Sequence, residues 1–209
     1  MIGVLAMQGA FAEHRAMLRR LGVESREVRL PQDLDGLDGL IIPGGESTTM
    51  GKLIVEFGLL PELRRLVQHG FPIYGTCAGM ILLADRITEG DQPLIGGADL
   101  LVRRNAFGRQ LDSFEADIPI PALGDQPFHA IFIRAPLVDQ VGPDVEVLAR
   151  LGSGPIVAAR DRHLLVSAFH PELTDDPRLH RYFLAMVEDT KWREDARSPT
   201  ETALRGATR

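Results

Sequence analysis

Cys77 is the single cysteine of this 209-residue chain, and it stands among small residues in Gly75-Thr76-Cys77-Ala78-Gly79. An apolar run, Phe71-Pro72-Ile73-Tyr74, leads into it, and a helix-like run, Met80-Ile81-Leu82-Leu83-Ala84, leads out. This pattern suits a thiol nucleophile on a sharp strand-to-helix turn, where glycine tolerates the backbone angles and a bulky neighbour would clash. The free N–H groups of the new helix would point at the sulfur and favour thiolate over thiol. The same pentapeptide also fits a small cysteine packed in an α/β core, where free cysteines are common.

A thiolate nucleophile needs a base within hydrogen-bond reach, and the base needs an acceptor to orient it. Six histidines are available: His14, His69, His129, His163, His170 and His180. Only His170 leaves a buried-looking strand at its carboxyl end with a carboxylate, Glu172, two residues on. On an extended segment, residues i and i+2 point the same way. Glu172 can then hold one ring nitrogen of His170 while the other faces the sulfur, with Pro171 stiffening the backbone between them. His170-Pro171-Glu172 fits the opening of the next helix as well. The other five histidines read as surface or structural residues. Acyl transfer also needs donors for a developing oxyanion. Gly44 and Gly45 after a buried strand, and the amide of Ala78 after the nucleophile, are the candidates. Pro43-Gly44-Gly45-Glu46-Ser47 fits an ordinary turn or a phosphate cradle too, but it lacks the Gly-Lys-Ser/Thr ending of a nucleotide-binding P-loop. Arg103, Arg104 and Arg134 offer guanidinium groups to a substrate carboxylate, although solvated charge is the commoner explanation of any single arginine.

Residues 2–7 predict a short strand buried on both faces. Residues 10–21 predict a helix closed by Gly22, and 23–30 a second strand. Residues 39–42 predict a third strand, stopped at Pro43. Ser47 is placed as N-cap of a helix over 48–57, and a further helix is expected over 61–69. A fourth strand then runs into Cys77. Alternation of this kind implies a mostly parallel sheet with both faces covered and a ligand site at the strands' carboxyl ends. Three segments meet there: Met7-Gln8-Gly9, Pro43 to Ser47, and Gly75 to Gly79. The second half changes character, with short strands expected at 98–103, 111–118, 129–133, 146–151, 156–159 and 164–169. These read as an antiparallel or mixed extension of the same sheet. A last helix is expected over 175–188, and a flexible polar tail from 191 to 209.

Composition is that of one globular domain: 44% hydrophobic, 25% charged, net charge −6. The acidic balance without a basic run argues against a nucleic-acid or anionic-membrane partner. One cysteine excludes an internal disulfide and a cysteine-based zinc cluster. No apolar stretch nears the ~20 residues of a membrane span, and no basic region precedes the first apolar run, so the expectation is a cytoplasmic protein.

Taken together, Gly-Thr-Cys-Ala-Gly, the Gly-Gly loop and a late His-Pro-Glu resemble the class I (triad) glutamine amidotransferases. Leu5 to His14, Ile42 to Met50, Arg104 to Glu115 and Phe132 to Pro136 resemble, more narrowly, the glutaminase subunits of pyridoxal 5′-phosphate synthase. The likeness covers about residues 1–190. It implies a flavodoxin-like three-layer α/β/α fold, with a mostly parallel central sheet and an antiparallel extension. It implies hydrolysis of L-glutamine to glutamate and ammonia by Cys77 as nucleophile, His170 as base and Glu172 as its orienter. It carries Gly45, Glu46, Ser47, Arg104, Ile133 and Arg134 over as glutamine-binding positions, and Gln8 into the region that a partner docks on and activates. The implied partner is a (βα)8-barrel synthase subunit, in a complex of twelve and twelve, that joins the ammonia to ribose 5-phosphate and glyceraldehyde 3-phosphate. No cofactor or metal is implied for this chain. Two rival expectations share the elbow: a stand-alone cysteine hydrolase, of γ-glutamyl hydrolase or DJ-1-like type, and a non-catalytic regulatory domain.

Overall fold

A computed structural model describes residues 1–104 and 113–190; the expected tail, 191–209, and most of the Arg-Asn-x-Phe-Gly-Arg-Gln stretch lie outside the described residues. The first half alternates as expected. Strand β1 (Ile2–Leu5) leads to helix α1 (Phe11–Arg20), then β2 (Ser25–Val28) and β3 (Gly39–Ile42). Helices α2 (Ser47–Glu56) and α3 (Leu59–Gln68) precede β4 (Ile73–Thr76), which enters the six-residue helix α4 (Ala78–Leu83). The second half is β5 (Ala84–Ile87), β6 (Ala98–Arg103), β7 (Ser113–Ile118), β8 (Phe128–Ile133), β9 (Leu137–Val141), β10 (Glu146–Arg150), β11 (Ile156–Asp161) and β12 (Leu164–Ser167). A last helix, α5, spans residues 178–190.

Among the described residues, ten strands form one sheet in the order β2-β1-β3-β4-β12-β11-β9-β6-β5, with β10 added beside β11. β2, β1, β3, β4 and β12 run parallel, and β11 reverses the direction. The mixed extension is therefore continuous with the parallel half. β7 and β8 depart from that expectation. They form a separate antiparallel hairpin, held near the sheet by Phe128 and Phe132 packing on Phe169 with ring centroids 5.6 and 5.5 Å apart. β5 and β9 carry no alternating pattern of their own and escape prediction from the sequence.

Strand alternation sorts the layers. Tyr74 points to the face covered by α1 and α5, where its ring meets His14, His180 and Phe183. Gly75, one residue on, faces α4: a Cβ there would lie 2.6 Å from the Gly79 backbone. Val4, Leu5, Ile41 and Ile42 have no exposed surface, and burying such a side chain stabilises by about 1.5–3 kcal/mol. That rigid parallel centre carries four loops at one edge, after β1, β3, β4 and β12. No described helix is long and apolar enough to cross a membrane.

Candidate active site

Cys77 sits at the point where β4 becomes α4, at φ 47° and ψ −101°. Positive φ is uncommon for a residue with a Cβ and is held only where the surroundings demand it. They do so here. The Cys77 N–H donates to the Ser167 carbonyl of β12 at 2.8 Å, and Gly79 has no room for a side chain, since a Cβ would sit 2.1 Å from the Ile42 carbonyl oxygen. The elbow pushes the thiol out of the sheet edge while its own residue remains buried.

His170 follows β12, the strand next to β4, and its N–H donates to the Ile131 carbonyl at 2.9 Å. Its Nδ1 is 2.8 Å from Glu172 Oε1. The expected pairing is present, but its geometry differs from the extended one: Pro171–Leu173 is a 3-10 turn, which brings the carboxylate back under the ring. Burial lowers the His170 pKa, and the Cys77 sulfur and the Glu172 carboxylate outweigh it, raising it to about 10. The imidazole is thus protonated near neutral pH beside the sulfur. The sulfur also lies 3.9 Å from the Ile133 carbonyl oxygen, which would accept from it in the thiol form.

The Gly44-Gly45 turn closes over this pair. A Cβ on Gly44 would lie 2.3 Å from His170 Cε1 and 3.2 Å from Cys77 Cβ. The β1 loop grips the turn by two hydrogen bonds. Ala10 N–H donates to the Gly44 carbonyl at 3.2 Å, and Glu46 N–H donates to Gln8 Oε1 at 2.8 Å. Gln8 is exposed, so a group docking on it would reach the turn directly. Ala78 opens α4, and its N–H has no acceptor within the helix.

One expectation is corrected at α2. The N-cap is Glu46, not Ser47: its carboxylate accepts from the N–H groups of Thr48 and Thr49 at 3.2 and 2.7 Å. Burial raises the Glu46 pKa, and hydrogen bonds from the Thr49 hydroxyl and from the Thr49 and Thr48 N–H groups more than offset it, leaving about 2. Ser47 donates its hydroxyl to Gln92 Oε1 at 3.0 Å instead. Glu46 also lies 3.4 Å from Arg104 Nη2.

Gln8, Gly45, Glu46, Ser47, Cys77, Arg104, Ile133, Arg134 and His170 line one cavity of about 240 Å³ together with Ile81. Its lining brings the one thiol, the His170 imidazole and two arginines, Arg104 and Arg134, to the same cavity. A larger cavity, about 470 Å³, lies by the amino ends of β4 and β12 and contains neither Cys77 nor His170.

The fold brings two further histidines here, both expected from the sequence to be surface or structural residues. His14 of α1 and His180 of α5 have no exposed surface. Their rings meet at 3.0 Å, Nδ1 of His14 to Nε2 of His180. His14 Nε2 is 3.2 Å from Thr76 Oγ1 and 3.3 Å from Glu172 Oε2. Pairing of His14 with helix position 180 leaves no local signal, because nothing in either segment specifies the contact. Burial lowers both pKa values, that of His180 to about 3, with the neighbouring His14 adding to the effect. A folded pKa far below the unfolded 6.5 costs stability as pH falls through 6.5 towards 3, since the unfolded chain binds the proton first. Urea titrations at pH 7 and pH 5 are expected to show that His180→Gln loses about 2 kcal/mol less over that interval than the unmodified chain. Equal losses would contradict the neutral burial of His180.

Residues 4–189 match the SNO glutamine amidotransferase family. The chain is 58% identical, over 89% of its length and 97% of the relative's, to a protein of Carboxydothermus hydrogenoformans named pyridoxal 5′-phosphate synthase subunit PdxT. A protein of the same name from Herpetosiphon aurantiacus is 58% identical over 88% of this chain and 99% of its own. A crystal structure of a glutamine amidotransferase superposes with a TM-score of 0.85 at 52% identity, covering 90% of this chain and 98% of that one.

Proposed function

The chain belongs to the SNO glutamine amidotransferase family, and from that membership we propose how its site works as the glutaminase of pyridoxal 5′-phosphate synthesis. Glutamine is hydrolysed to glutamate and ammonia, and the ammonia is passed to the synthase subunit. The observation that carries the reading is the convergence of Cys77, the His170–Glu172 pair and the Gly44-Gly45 turn on one amino-acid-sized cavity rimmed by Arg104 and Arg134.

Glutamine enters with its side chain toward Cys77. Arg104, with Arg134 beside it, meets the α-carboxylate, and the backbone of Gly45, Glu46, Ser47 and Ile133 lines the chain of the substrate. Glu46 contributes through its main chain and by steadying Arg104, since its carboxylate is committed to capping α2. The Cys77 thiolate attacks the carboxamide carbon, and the amides of the Gly44-Gly45 turn and of Ala78 receive the oxyanion. Imidazolium His170 gives its proton to the leaving nitrogen, and ammonia departs. The γ-glutamyl thioester remains, with a neutral His170. Water then attacks, one of its protons returns to His170, and collapse expels the thiolate and glutamate. Glu172 holds the His170 Nδ1–H throughout, keeping Nε2 toward the reaction.

The partner is a (βα)8-barrel synthase subunit, in a twelve-plus-twelve assembly. Docking on the β1 loop is transmitted through Gln8 and Ala10, which hold the oxyanion turn. The test is ammonia release from glutamine with and without that subunit. Turnover is expected to rise by an order of magnitude or more on mixing, and in Gln8→Ala that stimulation is expected to be largely lost. An isolated chain as fast as the mixture would overturn the partner-dependent reading.

A further inference from the structure

Beneath the triad a line of buried polar groups runs from Glu172 through His14 to His180. Glu172 presents Oε1 to His170. Its other oxygen, Oε2, is buried, makes no well-aligned hydrogen bond, and lies 3.3 Å from His14 Nε2. His14 Nδ1 lies 3.0 Å from His180 Nε2, and His180 Nδ1 is buried with no partner.

The tautomers follow from what each arrangement would leave unpaired. Suppose His14 donated from Nδ1. His180 Nε2 would have to accept, forcing the proton of His180 onto Nδ1, where an N–H donor would be buried without an acceptor. The lone pair of His14 Nε2 would also face a carboxylate oxygen. The opposite arrangement avoids both penalties. His180 donates from Nε2 to His14 Nδ1, and His14 donates from Nε2, shared between Thr76 Oγ1 and Glu172 Oε2. Only a bare nitrogen lone pair at His180 Nδ1 stays unsatisfied, and an unmade acceptor on a neutral ring costs less than a lost donor or a repelled charge.

We propose that His14 is a positioning residue for the glutaminase reaction: as the neutral Nε2–H tautomer, set by His180, it donates to Glu172 Oε2 and so fixes the carboxylate that orients His170. The proposal rests on the triad reading given above and adds a fourth participant from α1. Every titratable group around Glu172 fits this assignment. His170 of the same turn holds Oε1. Cys77 and Tyr74 lie on β4 and its elbow; the Tyr74 hydroxyl is engaged with Ser167 Oγ at 3.0 Å and stays protonated. His180 stands behind His14 from α5, and Glu13 is the neighbouring charge on α1. Burial raises the Glu172 pKa; the charge that His14 would carry if protonated, and the hydrogen bond and charge of His170, hold it below the usual carboxylate range. A protonated His14 would exert the strongest pull, but burial keeps that ring neutral near pH 7, so the donor acting there is the ring N–H.

The experiment is the pH profile of kcat for glutamine hydrolysis, measured with the synthase subunit present, for the unmodified chain, His14→Leu and His14→Gln. Leucine removes the donor. Glutamine can place an amide N–H where Nε2–H was. His14→Leu is expected to lower kcat by about 10–100-fold, by analogy with the loss when the partner that orients a metal-bound histidine is removed, with KM nearly unchanged. Its acid limb should move to higher pH, because Glu172 then protonates more easily. His14→Gln should recover most of the rate and the original limb. A folded His14→Leu whose acid limb does not move, or a His14→Gln no better than leucine, overturns the proposal and leaves the triad standing. Failure of the triad reading itself would show as turnover by Cys77→Ala, independently of His14. Should His14→Leu not fold, ring nitrogen NMR of the uniformly labelled wild-type chain decides: Nε2–H tautomers for His14 and His180 support the assignment, and an Nδ1–H tautomer for His14 overturns it.

Discussion

His170→Asn is expected to lower kcat for ammonia release by about 10⁴-fold or more, even with the synthase subunit present, as does removal of a base from other nucleophilic triads. The size of the effect comes from two duties lost at once. In the proposed mechanism the imidazolium is the proton source for the leaving nitrogen and the charge partner of the sulfur; a pKa of about 10, raised by the Cys77 sulfur and the Glu172 carboxylate against burial, suits both duties. Asparagine can occupy the space and accept or donate a hydrogen bond, but it cannot carry the proton. The fold should survive, because the backbone contacts of residue 170, including its N–H to the Ile131 carbonyl at 2.9 Å, do not involve the ring. Steady-state glutaminase assays on folded protein, with thermal unfolding as the control, measure this directly. Retention of even a tenth of the rate would remove His170 from the mechanism.

Gly44→Ala is the second large effect, and it originates in space rather than in chemistry. A Cβ at this position would lie 2.3 Å from Cε1 and 2.9 Å from Nδ1 of His170, and 3.2 Å from Cys77 Cβ. The His170 ring is wedged between Glu172 and this turn, so it cannot retreat without breaking the 2.8 Å bond to Oε1. The turn must move instead, and with it the amides proposed to receive the oxyanion. A loss of about 10²–10³-fold in kcat is expected, comparable to deleting an oxyanion donor, with a smaller change in global stability because the turn is at the sheet edge. A folded Gly44→Ala enzyme with ordinary kcat would show that the working site does not hold the turn against His170.

Much of this arrangement is legible in the residues alone, and the reasons are local. Short apolar runs ending in glycine or proline, such as Gly39–Ile42 before Pro43, declare parallel strands and their loops. The Cys77 elbow is legible because small residues on both sides admit a strained backbone, and φ 47° is the strain they permit. His170 and Glu172 could be paired from their separation of two, though a 3-10 turn rather than an extended strand brings them together. What stayed hidden depends on tertiary contact. Ser47 looked like the better cap by residue type, but Glu46 reaches back to two N–H groups of α2 and releases Ser47 to Gln92. The hairpin of β7 and β8 looked like part of the main sheet, since its separation rests on packing against Phe169. His14 and His180 are separated by most of the chain, and neither segment hints that they meet below the active site.

Alkylation by a glutamine-analogue electrophile, diazo-oxo-norleucine, tests the central claim most directly, because the chain has one cysteine. The complex with the synthase subunit would be treated, digested and weighed by mass spectrometry, with and without competing glutamine. The account predicts a single adduct on Cys77, suppressed by glutamine and accompanied by complete loss of ammonia release. Modification elsewhere with Cys77 untouched, or ammonia release that persists after Cys77 is fully alkylated, would contradict it.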